Sequence, residues 1–460
     1  MNKIIALLAS SAVITGLALP TTVLADGDDL ESQISSLSKQ ISKLEKQVKQ
    51  LKKSKKTENF VDSDDDKGFN TSAVTTTPTL GLRSAHHGMD LIVNFSTLNE
   101  DVRMLDQRAL YQKQRGVEEL SRPLVQLSGV LRGVAGYKNS FYDVSSTYLD
   151  LNSAEIDAFI EASRWVSGLM SLTYDNGLPG YELTAADAAS PYTKTGWSNI
   201  YLKRGFITVG DFTSSPWYAS IGQMFVPFGK FSTFLVSNPL TKSLAKTSGR
   251  AIDVGYKGKD FVATAFAMKG DTYTSDNTKN INSWGGNVQY SKDLGDDKNA
   301  VLGAGYIHNL ADSEGISSIV SYIASHSYEL DNYMPAIDLY GKFSFANWIV
   351  NAEYVKALDS LSIAGTNIGQ PSAAHFELDH TMFVGKLPLA LGMGYGHSKN
   401  FENYMPEDSY SIAASTYLFK DTVQSLEFRH LRAKSAVAEA YLDAAGIQKN
   451  YLTFVFSMYF

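Results

Sequence analysis

The sequence predicts an all-β fold, a sixteen-stranded antiparallel transmembrane β-barrel over residues 122–460 with an N-terminal coiled-coil helix before it. Three observations lead to this prediction. The chain ends on a strand with one unbroken apolar row, strand-like stretches are joined alternately by short and long connections, and ionisable residues occupy the row opposite the apolar one. A closed barrel accounts for all three, because its outside faces lipid and its inside faces water.

The last ten residues, 451–460, carry an apolar residue at every second position. Thr453 and Ser457 lie on the alternate row, and a period of two is the period of a β-strand. A strand that ends on an aromatic residue resembles the C-terminal signature of outer-membrane barrels, which have aromatic girdles at their interfaces. The apolar row consists of Leu452, Phe454, Phe456, Met458 and Phe460.

Alternating stretches continue back from Phe460 in pairs. Tight joints such as 257–260 and 345–347 fall on one side of the predicted sheet, and long joints such as 176–196 and 229–249 fall on the other. Outer-membrane barrels have short periplasmic turns and longer outer loops, so the alternation favours a barrel over a soluble sandwich. The predicted strands are 122–137, 145–162, 163–175, 197–213, 217–228, 250–257, 260–270, 282–291, 298–310, 334–345, 347–357, 373–385, 388–397, 408–419, 421–433 and 449–460.

The two faces of these strands differ in polarity. In 373–385, Phe376 and Leu378 lie on one face, whereas Glu377 and Asp379 lie on the other. Carboxylates facing lipid would be costly, so the polar row is expected to face a watery lumen. In 145–162 the parity changes between residues 151 and 154, which predicts a β-bulge.

The composition excludes several functional classes. There is no cysteine, so disulfides and thiol chemistry do not arise. The formal charge of −7 comes without a dense basic face, which argues against nucleic acid as a partner. No apolar run after the first 25 residues approaches the ~20 residues of a spanning helix. We find no nucleophile–base set, phosphate loop or zinc motif, and so expect neither an enzyme nor a bound cofactor.

The amino end has two recognisable segments. Residues 1–25 have the basic start, the apolar core and the small-residue cleavage site of a secretory signal peptide. Residues 26–56 predict a periplasmic coiled-coil helix, because leucine and β-branched residues alternate at heptad positions between 28 and 56. The heptad pattern favours association of several copies of the chain into a homo-oligomer. The alternative is a single amphipathic helix that lies on another surface.

The next two segments connect this helix to the barrel. Residues 57–79 contain an acidic run and a threonine-rich run, and predict a disordered linker. Residues 80–121 predict either a plug in the barrel mouth or a periplasmic segment, with a helical pattern between positions 98 and 114. Within it, His86 and His87 are candidate metal ligands, although adjacent histidines in a linker are usually incidental.

A long outer loop carries the most specific motif. Phe-Val-Pro-Phe-Gly-Lys-Phe at 225–231 opens the loop, which continues through Asn-Pro-Leu-Thr at 238–241. The Pro-Phe-Gly followed by Asn-Pro-Leu-Thr resembles the siderophore porins of the LbtU family, and iron-uptake proteins of the FupA/FslE type look similar. This resemblance covers Asp26 to Phe460. It implies a secreted protein with a short coiled coil and a sixteen-stranded barrel that takes up iron or an iron–siderophore without an energy-coupling plug.

The charges of the loop suggest a ligand class. The loop holds Lys230, Lys242, Lys246 and Arg250 without an acid, and would form a cationic constriction if it folded into the barrel. Charged pore rings select ions of opposite sign, and a ferric carboxylate siderophore is an anion. The alternative is that these residues decorate the surface and face anionic lipopolysaccharide. Barrel residues predicted to add positive charge to the lumen are Arg132, Lys203, Lys342 and Arg429.

The favoured function is therefore a diffusion channel for iron in the bacterial outer membrane, as a ferric siderophore or as ferrous ion, with the N-terminus in the periplasm. A general or other-solute porin is one alternative. A structural barrel whose coiled coil tethers envelope layers is another. The expected partners are iron or an iron–siderophore, outer-membrane lipid and lipopolysaccharide, and further copies of the chain through residues 28–56.

Overall fold

The computed structural model describes most of the chain beyond residue 97. The described residues are 73–76, 98–115, 124–140, 145–175, 200–275, 280–295, 297–323, 328–401, 404–419, 421–432 and 448–460. The predicted signal peptide, the coiled coil and the His86–His87 pair lie outside these residues. In the part of the chain that is described, no helix is both long enough and apolar enough to cross a membrane.

Sixteen long strands form one sheet. Along each strand, outward apolar residues alternate with residues that face the inside of the barrel. The strands are β1 Leu124–Ser140, β2 Ser146–Glu161, β3 Val166–Asp175, β4 Ile200–Gly210, β5 Trp217–Phe225, β6 Ser248–Lys257, β7 Phe261–Lys269, β8 Ser283–Gly295, β9 Lys298–Ile307, β10 Ala336–Phe345, β11 Trp348–Ala357, β12 Ser372–Val384, β13 Leu387–Lys399, β14 Asp408–Thr416, β15 Thr422–Arg432 and β16 Gln448–Tyr459. The helices are α1 Glu100–Arg115, α2 Leu240–Ala245 and α3 Glu314–Ile323, with a 3-10 turn at Leu310–Asp312.

The sheet closes on itself. Consecutive strands pair antiparallel throughout, and β1 pairs antiparallel with β16 from Val130↔Tyr459 to Ser140↔Lys449. The last residue continues this ladder, because the N–H of Phe460 donates to the carbonyl of Gly129 at 3.1 Å, and the carbonyl of Phe460 accepts from the N–H of Gly129 at 2.9 Å. Each predicted strand matches one of these sixteen, so the predicted barrel is confirmed.

The outer face of the barrel is apolar. In β16, Phe454 is 43% exposed, whereas its neighbours Thr453 and Val455 are fully buried. Aromatic residues cluster near both ends. Trp217 and Tyr256 pack edge to face at the short-turn end, and Trp284 packs against Tyr306 at the other. A closed barrel with an apolar outer belt between aromatic girdles is a bacterial outer-membrane architecture.

The predicted bulge in the second strand is also confirmed. Arg132 of β1 pairs with Ser153 of β2, but the next residue, Gly133, pairs with Leu151. Asn152 is therefore the extra residue of a β-bulge, and the parity of β2 changes there.

The connections differ at the two ends of the barrel. Turns such as 258–260 and 346–347 are two or three residues long, whereas the loops 226–247 and 308–335 at the opposite end are long enough to fold. In the loop 308–335, α3 packs its buried Ile316 and Val320 into an apolar cluster that includes Leu244 of α2. The long loops thus form a packed lobe at one end.

Residues 73–76 differ from the predicted linker. Ala73–Thr76 forms a short strand that pairs parallel with Leu124–Leu127 of β1. Because β16 ends opposite Val130, this part of β1 would otherwise leave a row of backbone groups without a strand partner.

Candidate functional site

The loop 226–247, between β5 and β6, is bound to the opposite wall of the barrel by three inward-facing glutamates. Glu353 of β11 accepts hydrogen bonds from the N–H of Lys230 at 2.6 Å and of Phe231 at 3.1 Å. Glu377 of β12 accepts one from the N–H of Phe234 at 2.7 Å. These charge-assisted bonds draw the loop into the lumen.

The third glutamate holds the next part of the same loop. Glu427 of β15 accepts hydrogen bonds from the N–H of Val236 at 2.6 Å and of Ser237 at 3.1 Å. Beside it, Arg429 donates to the carbonyl of Asn238 at 3.5 Å and to the hydroxyl of Ser409 at 3.0 Å. Arg429 is buried on the inner side of β15, and here it contacts the loop.

The loop also has an apolar anchor, which explains its Pro-Phe-Gly-Lys-Phe sequence. Phe228 and Phe231 are each 1% exposed and pack in the same cluster as α2 and α3. Gly229 between them has φ +80°, and a Cβ atom there would lie 1.9 Å from the Phe231 ring. Only glycine fits this turn without displacing the ring.

Four cations predicted for the lumen come near one another, two from the second half of this loop and two from the barrel wall. Lys242 lies on α2, and its pKa is lowered by its burial as well as by the nearby positive charges of Lys246, Lys203 and Arg132. Burial of the ammonium first, and then the charges of Lys246, Lys203 and Arg132, lower the pKa of Lys242 to about 7, against an opposing effect of Glu314. Lys203 and Lys246 keep 23% and 22% of their side-chain surface exposed, so the cluster is accessible to solvent.

Acidic residues bind two members of this cluster. Lys203 lies 2.8 Å from Glu155 of β2, and Lys246 lies 2.7 Å from Glu314 at the start of α3. The cluster therefore joins the barrel wall, the lumen loop and the packed outer lobe.

A second group of cations surrounds Lys230. Its ammonium donates to Gln289 at 3.2 Å and lies 5.5 Å from the centre of the Tyr340 ring. Burial first, and then the charge of Lys342 on β10, lower the pKa of Lys230 to about 7, and Arg103 of α1 acts in the same direction. Lys230 and Lys342 thus lie together on the lumen side, although they come from separate parts of the chain.

One predicted lumen residue is placed elsewhere. Arg250 was expected in the constriction loop, but it belongs to β6 and shares the outward row with Ile252 and Val254. The prediction is wrong for this residue because the loop ends earlier, at Thr247, and strand parity then turns Arg250 away from the lumen.

The helix α1 enters the lumen from the short-turn end, where Arg108 donates to the backbone carbonyl of Ser163 at 2.9 Å. At the start of the helix, Glu100 lies 2.8 Å from Arg204 of β4, and Asp101 accepts a hydrogen bond from Ser220 of β5 at 2.7 Å. The predicted helical pattern of this segment is confirmed, with Val102 and Leu105 buried against Tyr218.

Sequence reasoning did not single out Arg204. The alternation of the strand predicted that only Lys203 faces inward. In the structure, the pairing register of β4 with β3 shifts between Ser171 and Leu172. This bulge turns Lys203 and Arg204 inward together. Arg204 then meets Glu100, Glu155 and Asp157 in a buried ion-pair network. The neighbouring basic pair was the only signal in the sequence.

The loop and α1 make the lumen narrower than the open channel that sixteen strands suggest. Inward residues of the wall such as Asp338, Glu377 and Glu427 have no solvent exposure. Lys203 and Lys246 keep 23% and 22% of their side-chain surface exposed, and Glu314, the partner of Lys246, keeps 43%. The loop and α1 therefore fill part of the lumen.

The closed sheet, apolar outer belt and charged lumen define a bacterial outer-membrane barrel with a porin-like channel fold. The chain belongs to the UPF0422 family. It is 32% identical over 373 residues to the UPF0422 protein of Coxiella burnetii (strain RSA 493 / Nine Mile phase I). The matched region covers 79% of this chain and 76% of that protein. It is 31% identical over 378 residues to a UPF0422 protein of Legionella pneumophila (strain Lens), covering 78% and 69%. No family model matches the sequence.

Solved structures of similar shape are outer-membrane proteins. The outer-membrane channel DcaP of Acinetobacter baumannii has a TM-score of 0.49 and 12% identity, covering 74% of this chain and 98% of that one. An anion-selective porin from Comamonas acidovorans has a TM-score of 0.47 and 12% identity, covering 74% and 100%.

Proposed function

We propose that this protein is a passive outer-membrane channel whose constriction selects anionic solutes, and that its cargo is a ferric siderophore. The observation that carries the proposal is the position of Lys242 and Lys246 on the lumen loop, near enough to Lys203 and Arg132 of the barrel wall for their charges to act on Lys242. Rings of basic side chains favour anions in pores, because they lower the electrostatic barrier that an anion meets on entry.

The acids of the lumen support the same selectivity. Glu353, Glu377 and Glu427 are engaged by backbone N–H groups of the loop, so part of their charge is compensated within the protein. In this proposal Lys203 and Lys246, each partly exposed beside its acidic partner, are the cations that a passing solute meets. Two separate cationic groups, around Lys242 and Lys230, offer successive weak sites, which permit both entry and release.

The assignment of iron rests on the sequence. The motifs at 225–231 and 238–241 resemble those of the LbtU family, and both lie in the loop that narrows the lumen. A ferric carboxylate siderophore has the negative charge that the constriction favours. The resemblance and the electrostatics therefore point to the same solute.

Labelled-iron uptake in a deletion strain tests this proposal. The strain is complemented with the native protein, with a Lys203→Gln/Lys242→Gln/Lys246→Gln variant, or with the outward-facing control Lys356→Gln. We expect uptake of ferric siderophore to require the native protein, to fall in the triple variant and to persist in the control. Uptake that depends on the protein only without siderophore would indicate ferrous ion instead, and uptake unchanged by deletion in both conditions would overturn the proposal.

We further propose roles for the segments outside the described residues. Residues 1–25 would direct secretion, and residues 28–56 would form homo-oligomers in the periplasm. The heptad pattern also suits a tether between envelope layers. Removing residues 28–56 separates the two functions, because a channel should keep its transport whereas a tether should lose envelope integrity.

A further inference from the structure

Three polar residues lie side by side on the outward face of the barrel at its long-loop end. Gln223 of β5 is directly opposite Arg250 of β6, and Arg250 is directly opposite Lys269 of β7. We call Gln223, Arg250 and Lys269 the outward basic row. Arg250 and Lys269 are both exposed.

The next outward row toward the membrane centre is apolar. Ile221, Ile252, Ala267 and Trp284 are cross-strand neighbours on β5 to β8. Ile221, Ile252 and Trp284 are 58%, 44% and 52% exposed, as expected for side chains that face lipid. Since outward residues repeat every ~6.6 Å along a strand, the two cations lie just beyond the edge of the apolar belt.

Among the residues that the structure describes, the two cations have no acidic partner. Neither Arg250 nor Lys269 forms an ion pair with any residue that the structure describes, and Asp271 close by does not pair with them. Like charges directly opposite each other on neighbouring strands are destabilising. An anion bound between them would remove this repulsion.

A cavity of about 510 Å³ lies beside the row. Its lining includes Arg250, Lys269, Gly270 and Tyr273. The floor is fixed, because Asp312 accepts hydrogen bonds from the N–H of Thr272 at 2.9 Å and from its hydroxyl at 2.7 Å. The cations therefore stand at the edge of a formed recess rather than on a smooth surface.

We propose that the outward basic row binds a phosphate of lipid A, the membrane anchor of lipopolysaccharide, in the outer leaflet. A guanidinium binds phosphate through two parallel hydrogen bonds, and an ammonium adds a point charge. The apolar row directly below matches acyl chains, which a free phosphate lacks. The long loops of outer-membrane barrels face the cell exterior, where lipopolysaccharide forms the outer leaflet.

The chain offers a matched control on the same rim. Lys356 of β11 and Lys399 of β13 also face outward at the long-loop end, but Ser372 of β12 lies between them. The two lysines are therefore two strand spacings apart, roughly 10 Å, and cannot hold one phosphate as Arg250 and Lys269 can. Both double variants remove two positive charges from the rim.

Titration of the folded, detergent-solubilised full chain with labelled lipid A tests the proposal. We expect Arg250→Gln/Lys269→Gln to weaken binding by about tenfold. We expect Lys356→Gln/Lys399→Gln to change it by less than about twofold. Native protein should bind dephosphorylated lipid A as weakly as the first variant binds lipid A, and inorganic phosphate should not displace the lipid.

Three outcomes would overturn the proposal. Equal loss in both double variants would indicate attraction to the rim charge in general. Undiminished binding of dephosphorylated lipid A by the native protein would show that the phosphate does not contribute to binding. This result does not depend on the folding of any variant. Displacement by inorganic phosphate at a concentration matching the lipid would show a free-anion site instead.

Discussion

The N–H of Lys230 donates to the carboxylate of Glu353 at 2.6 Å, which joins two residues 123 positions apart across the lumen. The same carboxylate accepts a hydrogen bond from the hydroxyl of Thr241 at 2.8 Å, near the far end of the loop. One glutamate of the barrel wall therefore holds both halves of the loop 226–247. If this loop sets the width of the passage, the carboxylate of Glu353 controls it.

The variant Glu353→Gln tests this relationship. Glutamine keeps the size of the side chain but loses the charge, and can accept through only one oxygen. Hydrogen bonds to charged groups contribute about 1.5–3 kcal/mol, so the loop should loosen. We expect single-channel conductance to rise and to become noisier in planar bilayers. The variant Glu329→Gln, in an exposed position on another long loop, should behave as native, and a native-like conductance in Glu353→Gln would refute the role of the carboxylate.

The pKa of Lys242 predicts a pH-dependent selectivity. Burial and nearby cations lower the pKa of Lys242 to about 7, and burial together with Lys342 does the same for Lys230. Both side chains are charged below this pH and neutral above it, so the preference for anions should decrease as pH rises. We expect the permeability ratio of anion to cation to fall by about twofold between about pH 6 and pH 8.

Reversal potentials in a salt gradient measure this ratio. The Lys242→Met variant should lose part of the pH step and a Lys230→Met/Lys242→Met variant nearly all of it, because methionine does not titrate. A step of full size in the double variant would assign the pH dependence to other groups.

Crosslinking tests the position of α1. The chain has no cysteine, so two introduced thiols are the only ones in the protein. Asp101 and Ser220 are 2.7 Å apart at their side-chain oxygens, and we expect Asp101→Cys/Ser220→Cys to be joined by a short thiol crosslinker in whole cells. Ala219 precedes Ser220 but faces outward, so Asp101→Cys/Ala219→Cys should remain unjoined. Equal yields in the two variants would place α1 outside the barrel.

A glycine substitution tests the turn in the lumen loop. At Gly229 an alanine would combine a φ of +80° with a Cβ atom 1.9 Å from the Phe231 ring. Gly295 has a similar φ of +75° but no atom within 4 Å of the added Cβ. Backbone strain alone costs about 1–3 kcal/mol. Gly229→Ala should therefore lower the thermal unfolding temperature of the barrel further than Gly295→Ala, and equal shifts would show that the Phe231 contact contributes nothing.

The sequence predicted the barrel well because its signals are local. Alternation in β12 separates Phe376 from Glu377 within two residues, and a parity change is enough to reveal the bulge at Asn152. These features follow from the period of the strand and from the cost of charge in lipid. They require no knowledge of distant contacts.

The lumen was less predictable because its contacts join distant segments. Nothing near Glu353 in the sequence indicates that it binds the backbone of Lys230, and the bulge that turns Arg204 inward shows only in the pairing of β3 with β4. Whether Arg250 faces the lumen or the outside depends on where the loop before β6 ends, which is three residues earlier. Boundaries decide which face a residue occupies, since a shift of one residue reverses it.

The most direct test of the channel is the reversal potential of the purified native protein in a planar bilayer with a potassium chloride gradient. The account predicts discrete conductance steps and a reversal potential of the sign that chloride permeation gives. It also predicts that the Lys203→Gln/Lys242→Gln/Lys246→Gln variant shifts the potential toward zero. An inserted barrel with no conductance, or one that prefers potassium, would contradict the proposed anion-selective constriction.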